Sequence, residues 1–96
     1  MFDLNIIMQI NSEDDFQRLR QHINHLHHRF PMFRHDVKKI ERIIEEHIKN
    51  HSIALVNFRQ THARVYLEIA QNELQSINRV LSTVGKLELM AMLSQA

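Results

Sequence analysis

The chain has no cysteine, one glycine and one proline in 96 residues. Each shortage excludes something. Without cysteine there are no disulfides, no thiolate metal ligands and no cysteine nucleophile. The same absence suits a reducing compartment, so a cytoplasmic location is expected. Average usage would give roughly a dozen glycines and prolines together. With only Gly85 and Pro31 the chain has few tight turns, which predicts long helices joined by few loops. No run of 18 apolar residues exists, so no membrane span and no membrane partner is expected. The N-terminus carries Asp3 and no basic residue ahead of its apolar part, which makes it a poor secretory signal. A formal charge of +1 supplies no overall field to draw nucleic acid or anionic lipid.

What is abundant is histidine. Eight of them would take the formal charge from +1 to +9 if all were protonated, and a pKa near 6.5 puts that change close to physiological pH. The length reads as a single domain, residues 1–96. A chain this short buries only about 60–70% of its unfolded surface, so association would add much to its stability.

Residues 1–11 read as an N-terminal arm. Phe2, Leu4, Ile6, Met8 and Ile10 alternate with Asp3, Asn5 and Gln9, the period-two pattern of a strand. A lone strand is not stable, so it must pair or lie in a groove. A first helix is predicted over 12–30. Ser12 supplies an N-cap, Asp15 a capping-box partner, and Phe16, Leu19, Ile23, Leu26 and Phe30 a stripe at helical spacing. Pro31 ends it. A second helix is predicted over 33–50, with Phe33, Val37, Ile40, Ile44 and Ile48 on one face. Asn50-His51-Ser52 reads as a break.

The longest amphipathic element is predicted over 53–84. Leu55, Phe58, Val65, Tyr66, Ile69, Leu74, Ile77, Val80, Leu81 and Val84 share one face, interrupted by Arg59, His62 and Glu73. Gly85 reads as a C-cap, followed by a short helix over 86–95. Its Leu87, Leu89, Met90, Met92 and Leu93 would seal the bundle. The faces of 33–48 and 54–84 stay in phase, so the two helices could also run as one. The rival fold is ferredoxin-like with an added helix, taking 53–59, 63–69 and 86–93 as strands. Gln60-Thr61-His62 is a poor hairpin turn, and Leu87 to Leu93 are strong helix formers, so the all-α bundle is preferred.

Three constellations could carry chemistry. His47 and His51 stand four apart, so on one helix they share a face and could offer two imidazoles to a metal or to a pH-dependent switch. No third ligand is spaced to join them: no glutamate has a histidine three residues on, and His-Glu-x-x-His is absent. The alternative is that His47, His51 and His62 are core-edge residues. The segment 18–42 holds seven Arg or Lys (Arg34, Lys38 and Lys39 at its centre) against Asp36 and Glu41, a surplus of 7 − 2 = +5. Such a corner could grip nucleic-acid phosphates or simply be solvated. The carboxylate pairs Asp14-Asp15 and Glu45-Glu46 are sequence neighbours, which point apart on a helix. With no phosphate loop and no Gly-x-Ser-x-Gly, neither catalysis nor a cofactor is expected. The expectation is therefore an all-α homodimer that acts as an adaptor, small chaperone or assembly subunit. Phe16, Leu19, Ile23, Leu26, Leu55, Phe58, Tyr66 and Ile69 are the predicted partner-facing residues.

Overall fold

A computed structural model describes residue 10 and residues 12–95. The predicted arm, apart from Ile10, lies outside the described residues. Three α-helices follow in order: α1 Phe16–Arg29, α2 Arg34–Thr61 and α3 Arg64–Gln95. Short 3-10 turns, Glu13–Asp15 and Pro31–Phe33, precede α1 and α2. Among the described residues there is no strand, and the segments 53–59, 63–69 and 86–93 read above as possible strands are helical apart from the turn residue Ala63. The ferredoxin-like alternative is overturned.

Helix α1 begins near the expected place, through the 3-10 turn Glu13–Asp15 and without the predicted side-chain capping box. Ser12 is extended (φ −157°, ψ 172°), its carbonyl accepts from the Asp15 N–H, and Glu13, Asp14 and Asp15 occupy the first turn. There they favour the positive end of the helix dipole. The cap is made by the Ser12 backbone, since its hydroxyl makes no capping bond. Phe30 leaves helical geometry (φ −125°, ψ 67°) immediately before Pro31, as the steric demand of proline requires.

The boundary between the two long helices falls elsewhere than the sequence suggests. Asn50, His51 and Ser52 are helical, and α2 continues to Thr61. The predicted helix 53–84 is instead cut at His62 and Ala63. His62 adopts the left-handed conformation (φ 57°, ψ 17°), and its N–H donates 2.7 Å to the Phe58 carbonyl. The Thr61 hydroxyl donates to the Asn57 carbonyl and accepts from the Ala63 N–H at 3.2 Å, closing the turn. Gly85 is not a cap: it lies inside α3, and no separate helix begins at Lys86.

Helices α2 and α3 form an antiparallel hairpin, and α1 lies along one side of it. At about 1.5 Å per residue, α1 spans about 21 Å while α2 spans about 42 Å. It therefore covers only the half away from the turn. Arg20 bonds Glu45 through two nitrogens at 2.8 and 3.1 Å, and His27 meets Glu41 at 3.1 Å, so α1 runs antiparallel to α2. His22 reaches Glu88 on α3 at 3.2 Å. The core joins Leu19, Ile23, Leu26 and Phe30 to Val37, Ile44 and Ile48 of α2 and to Leu74, Ile77, Leu81 and Val84 of α3. Burying each large apolar side chain contributes about 1.5–3 kcal/mol.

Ile10, buried with this core, has a specific anchor. Its N–H donates 2.7 Å to Asn78 Oδ1, and Asn78 Nδ2 donates 3.1 Å to its carbonyl. One side-chain amide thus satisfies both backbone groups of a residue that has no helix of its own.

Candidate functional site

The hairpin has two sides of different character. Glu41 and Glu45 on α2, with Asn78 and Glu88 on α3, mark the side that meets α1 and Ile10. Round the other side of both helices an open pocket of about 230 Å³ is lined by Asn50, Ile53, Ala54, Asn57, Tyr66, Ile69 and Glu73. Helical spacing extends the same strip to Ile43, seven residues before Asn50, and to Val65, four before Ile69. Ile43, Ile53, Val65 and Ile69 are 40–53% exposed. Among the described residues, the core does not account for this row.

The residues predicted to face a partner divide. Phe16, Leu19, Ile23 and Leu26 are closed into the chain's own core. They are not free for a second molecule, because α1 folds back on the hairpin. Leu55, Phe58 and Tyr66 are half-buried near the turn, and Ile69 lies in the open strip.

The histidines are held singly. His47 Nδ1 lies 2.5 Å from Glu73 Oε2, across the α2–α3 interface. His51, one turn on, is buried edge-on against Phe16, with ring centroids 5.3 Å apart and planes at 86°. Its Nδ1 has no hydrogen-bond partner among the described residues. Burial pushes its pKa below the usual imidazole value, although the carboxylates of Glu13 and Glu73 pull the other way. Between the two rings the chemistry differs: one is tied to a carboxylate and the other is packed as an apolar group. No group of three or more His, Asp or Glu suited to a metal ion occurs among the described residues. His62, read as core-edge, is exposed at the turn, edge-on to Phe58.

Arg34, Lys38 and Lys39 are exposed in the first two turns of α2. They stand where the helix dipole disfavours cations, so solvent rather than the fold accommodates them. Arg20, by contrast, is engaged with Glu45. The hydrogen bond between them raises the arginine's pKa and lowers the carboxylate's. No helix of the described residues is long and apolar enough to cross a membrane.

Two residues that matter here were not assigned these roles from sequence. Asn78 lies within the amphipathic element predicted over 53–84, and nothing in its spacing marks it as the anchor of Ile10. Glu73 had a signal: it is a carboxylate interrupting an apolar face, and such an interruption calls for a buried partner, which His47 provides. Comparisons with protein-family models, with curated proteins and with solved structures find no match to this chain.

Proposed function

We propose that this chain is a helical protein–protein interaction module, an adaptor or assembly subunit that works as a homo-oligomer and catalyses no reaction. The observation that carries the reading is the row Ile43, Ile53, Val65 and Ile69, exposed beside the core that the described residues form. Single exposed apolar residues are ordinary on any surface, whereas a row aligned along a groove marks an interaction site. The exposed face also mixes Asn50, Asn57 and Tyr66 with the aliphatic residues, the blend of polar and apolar groups typical of interfaces that form between separately folded chains.

Light scattering coupled to size exclusion at pH 7.5 tests the reading. The expected result is a mass of two or more chains. A mass of one chain at every loading concentration, together with no protein captured by the wild type in preference to its Ile53→Glu variant, refutes it.

A further inference from the structure

We propose that the open strip of the hairpin is where a second copy of this chain packs, with the two turns at the same end and α2 of each copy over α3 of the other. This rests on reading the chain as a self-associating module and adds the surface and the arrangement. A two-fold interface must be self-complementary, since one patch meets its own copy.

Two charges between Ile43 and the turn, Glu46 and Arg79, satisfy that condition in one arrangement. Glu46 lies seven residues before Ile53 and four before Asn50, so it continues the strip on α2. Arg79 lies fourteen residues, two heptads, after Val65, so it continues the corresponding strip on α3. Both are exposed, and neither makes an ion pair among the described residues. Glu46 is sixteen residues before His62, and Arg79 is sixteen after Ala63. Both therefore stand about 24 Å from the turn. A two-fold axis along the hairpin exchanges α2 for α3 at equal height. It places Glu46 of each copy against Arg79 of the other, twice. An axis across the hairpin would instead set α2 on α2 and α3 on α3, which takes Glu46 away from Arg79.

The apolar part fits the same arrangement. Ile43 and Ile53 on α2 would cross to the α3 strip of Val65, Ile69 and the half-buried Val80. Two helices side by side are about 20 Å wide, and the strip from Ile43 to the turn is about 30 Å long. That is about 600 Å² per copy, at the lower end of what stable interfaces bury. The dimer is accordingly one that dissociates on dilution.

Sedimentation equilibrium of the full chain from about 1 µM to about 1 mM covers that range. The wild type should show a concentration-dependent monomer–dimer transition. Ile53→Glu should weaken it at least about tenfold by placing an unpaired charge in the strip. Leu67→Glu, a similarly exposed apolar position on the other side of α3, should leave it unchanged. Glu46→Arg and Arg79→Glu should each weaken the dimer by about tenfold at low salt, because each creates two like-charge contacts. The double variant should recover wild-type association. All these sites are exposed, and helical circular dichroism checks that each variant folds.

A dimer indifferent to Ile53→Glu overturns the inference and leaves the self-association reading standing. So does a dimer that the double charge reversal does not restore. A monomer that loses capture of a different protein on Ile53→Glu gives the strip to that protein, and the second copy falls. A monomer that dimerises only when residues 1–9 are removed gives the strip to that segment, and the second copy falls there too. A monomer with no partner at all overturns both readings.

Discussion

Replacing His51 by leucine should make the protein less sensitive to acid, and the size of the effect is bounded by the structure. His51 is 4% exposed, the one buried polar side chain among the described residues. Around it stand the Phe16 ring from α1, Glu13 before it and Glu73 on α3, with His47 one turn earlier on α2. The two carboxylates favour the imidazolium, but burial outweighs them and the folded-state pKa is lowered. The sign then follows. The unfolded chain takes up a proton as pH falls through about 6.5, whereas the folded chain resists it to a lower pH. Stability is therefore complete above about pH 6.5 and is lost on acidification until the folded-state pKa is reached. One proton changes stability by at most about 1.4 kcal/mol per pH unit. His51→Leu removes that proton and also the unpartnered Nδ1. At pH 7.5 the variant should be as stable as the wild type or about 1 kcal/mol more so. By pH 5.5 its advantage should grow by up to about 1.4 kcal/mol. For a chain of this size that is about 4–8 °C in Tm per kcal/mol. Urea and thermal unfolding by circular dichroism at pH 7.5, 6.5 and 5.5 measure the difference between the two proteins. The other seven histidines are common to both proteins, so the comparison isolates the effect of replacing His51. A stability gap that stays constant across these three pH values would refute the reasoning.

Two further outcomes follow from the backbone. Gly85 lies inside α3, and a methyl group added to its Cα would meet nothing within 4 Å. Gly85→Ala should therefore raise stability by about 0.5–1 kcal/mol in thermal unfolding. A neutral or lower Tm would mean that the helix ends there after all. Asn78→Ala strips the Ile10 N–H and carbonyl of their partner at once, and should cost about 2 kcal/mol. The exposed Asn72→Ala serves as its control and should change stability by less than about 0.5 kcal/mol.

The helical class was legible because the apolar residues recur with helical spacing and glycine and proline are almost absent. The start of α1 and its stop at Pro31 were legible for the same reason: local sterics and capping decide them. The turn was not. Asn50 and Ser52 are turn-favouring residues, but packing of Ile48, His51 and Ala54 against the rest of the bundle holds them in helix. The real reversal uses His62 in the left-handed region, which few non-glycine residues adopt although histidine does so more often than most. Its traces in the sequence are the turn that the rival fold set at Gln60-Thr61-His62 and the interruption of the apolar face at Arg59 and His62. The partner stripe was half legible. Periodicity identifies which residues avoid water, and it does not distinguish burial within the chain from burial against another. Phe16, Leu19, Ile23 and Leu26 were therefore indistinguishable in sequence from Ile69.

The shortness of α1 has a consequence for how the molecule breathes. Among the described residues, opening the half of the hairpin beyond His51 breaks contacts between two helices only, while opening the other half must also detach α1, with its Arg20–Glu45 and His22–Glu88 links. Amide hydrogens on either side of the turn should thus exchange with solvent through partial fluctuations, and those beneath α1 only through global unfolding. The strip of exposed isoleucines straddles that boundary. A molecule docking there would slow exchange in the looser half most, and would read out as a stiffening of the turn end.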